Sequence, residues 1–164
     1  TYVKLDPQAT IERGYKSYYS FGGCGMGAFD ALAGQLAEAV GYPYTQFPAE
    51  LLSNASGGYG VGSLCGSLGG AALAIAMACA PADAKKITGE LMAWYREHPF
   101  PAYQPEFKNP TSVSGPVNCL DSSGKFMEAA GVNMASDERK ARCAAVTGEV
   151  AGKAAELLNA IYNL

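Results

Sequence analysis

The chain contains a single histidine, His98, and a single tryptophan, Trp94, and only 16% of its 164 residues are charged. One imidazole excludes any site built within the chain from two histidines, and it leaves a Ser-His triad with one badly placed candidate beside Pro99. His98 is accordingly read as a surface histidine at a helix end. The 12 lysines and arginines are scattered, without the basic run that phosphate neutralisation by a nucleic-acid binder needs, so nucleic acid is excluded as a partner. No Cys-x-x-Cys pair occurs, which excludes a thioredoxin-type dithiol and a zinc ribbon. The same absence removes any Cys-x-x-Cys-His run for covalent haem attachment. The stretch Gly58-Tyr59-Gly60-Val61-Gly62-Ser63 lacks the preceding strand and the Gly-Lys-Ser/Thr ending of a phosphate loop, and is read as a flexible hinge. No hydrolase, transferase or dinucleotide-enzyme motif is present, so no enzyme class is assigned.

What remains is a chain with room for one domain. Residues 1–23 read as an N-terminal arm, extended from Thr1 to Thr10, followed by a tyrosine-rich segment. Residues 24–164 read as a helical domain. Apolar residues from Cys24 to Val40 recur at helical spacing before Gly41 and Pro43, which predicts one amphipathic helix. The stretch Leu64 to Ala80 is apolar but diluted by glycine and alanine and cut by Pro81, which favours a buried central helix over a membrane span. Gly66 and Gly70 lie four apart on one face of it, where a neighbouring backbone can approach closely. Asp83 to Glu97 reads as a surface helix ending at His98-Pro99. Five prolines between Pro99 and Pro116 predict an irregular surface excursion. Asn118 to Ala130 reads as a short helix closed by Gly131, and Ser136 is placed to cap a long last helix. On that helix Asp137, Glu138, Arg142, Glu149, Lys153 and Glu156 read as a solvated face. The fold class is all-α, a compact helical bundle with no strand signal.

Five cysteines in a chain of this size fit an oxidising compartment, and a first residue that is not methionine agrees with a removed export signal. The expected location is therefore exported: periplasmic, cell-surface or extracellular. Cys24 and Cys65 follow glycine-rich turns at predicted helix starts, where free N–H groups favour a thiolate. Cys119 lies near another helix start and Cys143 inside the last helix. Cys79 has small apolar neighbours and is assigned to packing. Cys24, Cys65, Cys119 and Cys143 are spaced 41, 54 and 24 residues apart, so any shared site must be assembled by the fold.

Cys24 opening a helix, Cys65-Gly66-Ser67-Leu68-Gly69-Gly70 after a glycine-rich loop, and then Cys119 and Cys143 together resemble the C-GCAxxG-C-C family of redox-active proteins, with Ser67 in the alanine position. The cysteine frame is also distantly similar to that of the split-Soret cytochromes. The resemblance implies a helical domain whose sulfur function lies in Cys24, Cys65, Cys119 and Cys143, and it brings in an iron–sulfur cluster as a cofactor option. Haem is not expected.

Two functions follow. One is an exported redox protein whose four cysteines cycle as thiols and disulfides or ligate a small iron–sulfur cluster, served by a redox protein partner. The other is a structural, self-associating subunit without catalytic activity or cofactor, stapled by two disulfides, with Cys24–Cys65 and Cys119–Cys143 as the chosen pairing. Its contact surfaces would be the N-terminal arm and the proline-rich loop, which make a homo-oligomer.

Overall fold

A computed structural model describes residues Thr1–Leu164. Seven helices follow in order: α1 (Pro7–Phe21), α2 (Cys24–Phe29), α3 (Gln35–Val40), α4 (Gly66–Ala78), α5 (Pro81–Glu97), α6 (Cys119–Ala130) and α7 (Asp137–Ile161). A π-helical turn, Asp30–Gly34, joins α2 to α3, so the expected helix from Cys24 to Val40 is continuous but locally widened. Helix α1 starts at Pro7, inside the stretch read as extended, because Asp6 accepts from the Ala9 N–H at 2.8 Å and Pro7 presets the first turn. Gly22, at φ 81°, closes it. Ser136 caps α7 by accepting from the Arg139 N–H, and Gly131 in the left-handed region ends α6.

The bundle is held at two glycine crossings. A Cβ on Gly14 of α1 would lie 2.7 Å from Gly148 Cα of α7, so these two helices touch backbone to backbone. A Cβ on Gly70 of α4 would collide with the Gly25 carbonyl oxygen of α2, the close approach expected at the Gly66/Gly70 face. Around them Phe29, Leu32, Leu36, Leu68, Ile75, Leu91, Val150 and Leu158 form a continuous buried core. The N-terminal residues lie on α7, where Asn159 accepts from Tyr2 Oη and the Leu5 N–H and donates to the Leu5 carbonyl. Tyr2 also stacks on Tyr162. No helix is long and apolar enough to cross a membrane.

Four sequence readings are corrected. The proline-rich segment is not wholly superficial: β1 (Pro99–Phe100) pairs antiparallel with β2 (Ser112–Val113), and the Phe100 ring is fully buried against Tyr95 and Trp94. This segment folds back over α7, so Arg142 and Glu149, read as solvated, are only 2% and 5% exposed. Glu149 instead accepts from the Ala102 and Tyr103 N–H groups and pairs with His98 Nε2 at 2.8 Å. His98 packs against Trp94 with its ring tilted by 30° and is three-quarters covered rather than free on the surface. Finally, Gly58–Gly62 is a hydrogen-bonded turn rather than a loose hinge, with the Ser63 N–H and Oγ both donating to the Gly58 carbonyl.

A four-cysteine cavity

Cys24 is the first residue of α2, Cys65 immediately precedes α4, Cys119 is the first residue of α6, and Cys143 sits nearly two turns into α7. The local backbone explains why such distant positions meet. The Cys65 N–H donates to the Val117 carbonyl at 2.9 Å and the Cys119 N–H donates to the Ser63 carbonyl at 2.7 Å. This isolated antiparallel bridge, Leu64 against Asn118, clamps the chain entering α4 to the chain entering α6. Gly66 brings in the third cysteine, because its missing side chain leaves the space beside Cys24 Sγ open. Ser67 Oγ meets Thr147 Oγ1 at 3.1 Å, and Thr147 donates to the Cys143 carbonyl, which ties α4 to α7 at the fourth.

All four of these side chains line one cavity of about 260 Å³, together with Tyr18, Tyr95, Ser122, Ser123, Arg139 and Arg142. Ser123 Oγ stands between two sulfurs, 3.8 Å from Cys119 Sγ and 4.0 Å from Cys143 Sγ. Every cysteine is a free thiol, so the Cys24–Cys65 and Cys119–Cys143 bridges expected from the sequence are not formed. The physical reason is the arrangement itself: four elements present sulfur from different walls of a cavity rather than in bonding pairs. Cys79 lies outside, near the end of α4, with its Sγ donating to the Ile75 carbonyl.

The walls treat the thiols differently. Burial pushes Cys24 up to about 12, and the sulfurs of Cys65, Cys143 and Cys119 add to the rise. Burial also raises Cys119. Burial would raise Cys143 as well, but the guanidiniums of Arg142 and Arg139 outweigh it and hold this thiol below its usual value. Arg139 Nη1 lies 3.5 Å and Arg142 Nη1 4.0 Å from Cys143 Sγ. Cys143 is therefore the thiolate-forming member and Cys24 the most reluctant one.

Sequence reasoning missed the cations and hydroxyls of this cavity. Arg142 donates to Ser122 Oγ at 2.5 Å, Tyr95 donates to the same oxygen at 2.8 Å, and Arg139 reaches Tyr18 Oη. One signal was available: Arg142 precedes Val146 by four residues, which puts it on a core-facing line of α7 despite its charge.

Four soft sulfur donors, two cations and no carboxylate fit a sulfur-ligated iron centre by donor chemistry. The geometry narrows that fit. No three side chains of His, Cys, Asp or Glu converge closely enough to hold one metal ion, whereas a mononuclear thiolate site needs every sulfur about 2.3 Å from one point. The four sulfurs line the cavity from separate elements rather than around one point.

Residues 28–157 match the family described as "Putative redox-active protein (C_GCAxxG_C_C)". The chain belongs to this family. The matched span includes Cys65, Cys119 and Cys143 and begins four residues after Cys24. As a C-GCAxxG-C-C protein, the chain is 33% identical over 165 residues to a split-Soret cytochrome c of Desulfovibrio desulfuricans, covering 95% of this chain and 59% of the relative's length. The chain thus spans under two thirds of that protein. A solved structure of the split-Soret cytochrome c from strain ATCC 27774, described as containing a novel iron centre, superposes with a TM-score of 0.93 at 32% identity. That superposition covers 99% of this chain and 72% of the other.

Proposed function

We propose that this chain is a redox protein in which Cys24, Cys65, Cys119 and Cys143 hold an iron–sulfur centre in the four-cysteine cavity. The observation that carries the reading is the convergence of four thiols from four separate elements on one partly enclosed space, with two arginines and no carboxylate around it. Family membership supports it, as does the novel iron centre of the similar split-Soret cytochrome c. When bound, such a centre supplies one-electron transfer, its potential set by charge, hydrogen bonds and burial around the sulfurs.

The residues of this chain divide the work. The four cysteines ligate. Arg139 and Arg142 offset negative charge and hold Cys143 as thiolate. Ser123, within reach of both Cys119 and Cys143, stands as a hydroxyl beside the sulfurs, where a hydrogen bond raises the potential by stabilising the reduced form. Tyr18 and Tyr95 wall the cavity and limit water. Export and service by a redox protein partner belong to the same proposal. Self-association through the N-terminal segment and the proline-rich loop would have to use their outer faces, since the inner faces are taken up within the chain. Sedimentation velocity tests that point.

Anaerobic reconstitution with ferrous iron and sulfide, followed by iron and acid-labile sulfide analysis and visible spectroscopy, tests the centre. Retention of both through gel filtration, with charge-transfer absorption lost on chelation, is the expected result. A protein that retains neither, while all four thiols are shown to be reduced, refutes the reading.

A further inference from the structure

Acidic residues outnumber basic ones in this chain, 15 to 12, yet none lines the cavity, while two arginines do. Arg139 and Arg142 stand three apart on α7, so their side chains leave the same face of the helix, and both point guanidinium nitrogens at Cys143 Sγ. Neither takes part in any ion pair of the molecule. Arg142 is the more telling case in energetic terms, because it is 2% exposed and its Nε has no hydrogen-bond partner. Its remaining contacts are a serine hydroxyl and the rings of Phe100 and Phe126, 5.9 and 5.7 Å from its guanidinium carbon. Cys143 as a thiolate would offset only one of the two guanidiniums, and the excess buried positive charge is costly unless a further anion completes it.

We infer that the cavity is an anion site: Arg142 and Arg139 recognise a small negatively charged species lodged against the thiols. The inference rests on the reading of this cavity as the redox site and adds the sign of what enters it. Two sources share that chemistry, a sulfur-ligated centre with net negative charge and a free oxyanion such as phosphate or sulfate. Arg139, partly buried and in reach of Tyr18, attracts the species, and the buried Arg142 neutralises it inside.

The test uses the iron-free, reduced 164-residue chain and therefore does not depend on the centre being formed. Each cysteine is alkylated at low ionic strength with negatively charged iodoacetate or with neutral iodoacetamide, and the ratio of the two rates is read residue by residue by mass spectrometry. In both reactions the thiolate sulfur displaces iodide, so the ratio cancels nucleophilicity and leaves the field. Cys79, whose charged neighbour is Asp83, is the internal control. The charged-to-neutral ratio at Cys143 should exceed that at Cys79 by about tenfold or more, as two nearby cations at an intermediate dielectric require. It should fall toward the control in R139Q and R142Q and persist in R142K. A ratio at Cys143 equal to that at Cys79, or one unmoved in folded R139Q and R142Q, overturns the inference. Should R142Q not fold, R139Q decides alone. Should neither reagent reach the thiols, melting temperatures in sulfate and in chloride at matched ionic strength decide: sulfate must stabilise the wild type more than R139Q, and an equal response overturns the proposal. Protection of Cys143 by phosphate would assign the site to a free oxyanion, and charge selection without such protection would assign it to the centre. Because iron and sulfide retention is measured separately, loss of the cluster reading and loss of the anion reading give different results.

Discussion

Replacing Gly66 by alanine is the most direct test of how the cavity is built. The new Cβ would stand 2.5 Å from Cys24 Sγ and 2.6 Å from the Ala55 carbonyl oxygen. The sulfur can turn aside, but Ala55 is the last residue of a 3₁₀ helix, Ala49–Ala55, so a buried backbone must move. Overpacking of this kind costs about 1 to 3 kcal/mol, while the alanine regains about 0.5 to 1 kcal/mol of helix propensity that glycine forfeits. The balance is a loss of up to about 2.5 kcal/mol, or a fall of roughly 5 to 10 °C at the upper end for a chain of this size. Gly89 in α5 supplies the control: a Cβ there meets nothing within 4 Å, so Gly89→Ala should gain about 0.5 to 1 kcal/mol. Calorimetry of the iron-free protein measures both, and iodoacetamide mapping should show Cys24 altered in G66A alone. A G66A protein that melts as high as G89A, with Cys24 unchanged, would show that the packing argument is wrong.

Changing any one of Cys24, Cys65, Cys119 or Cys143 to serine should cut retained iron and sulfide severalfold after reconstitution, whereas Cys79→Ser should retain both, as metal analysis would record. Thiolate absorbance of the iron-free protein against pH should begin to rise below the ordinary thiol range of about 8.5, and this first step should vanish in Cys143→Ser. A thiol held low in the folded state contributes stability above its unfolded value, and that contribution is lost as pH falls through the native value. Urea unfolding of the same variant should therefore show a flatter alkaline pH dependence. Glu149→Gln places amide hydrogens against the donors of Ala102 and Tyr103 and should cost about 1 to 3 kcal/mol. Because Trp94 packs against His98 beside that carboxylate, its fluorescence, the chain's one tryptophan signal, should shift with the change.

Much of the fold was legible from punctuation. Gly41, Pro81, Gly131 and Ser136 mark helix ends where expected, and the Gly66/Gly70 pair announced a backbone crossing, because these residues act through local conformation that a sequence displays directly. The polar side of α7 was not legible. Charge on a helix ordinarily marks a solvated face, yet the proline-rich segment that covers Arg142 and Glu149 has almost no regular structure, so nothing periodic showed where it would lie. The start of α1 was missed for a smaller reason: Asp6-Pro7 is a capping pair, but a proline reads first as a helix breaker. The candidate site was half visible. Four cysteines in order identify the sulfur chemistry, while the choice between bonded pairs and an open ring depends on side-chain directions fixed by the Leu64–Asn118 bridge and by Gly66, which are contacts between remote segments. The arginines escaped notice because their partner is a thiol rather than a carboxylate.

For the proposed centre, the bridge joining Ser63 to Cys119 and the seat of Cys143 on α7 would impose an order of events on maturation. Helix α7 contributes the last sulfur and also packs against α1 through Gly14 and Gly148, so the receptacle exists only when both ends of the chain have come together. A nascent or clipped polypeptide would offer scattered thiols with no common enclosure. Insertion of the proposed centre would thus act as a checkpoint, granted to folded chains and withheld from unfolded ones.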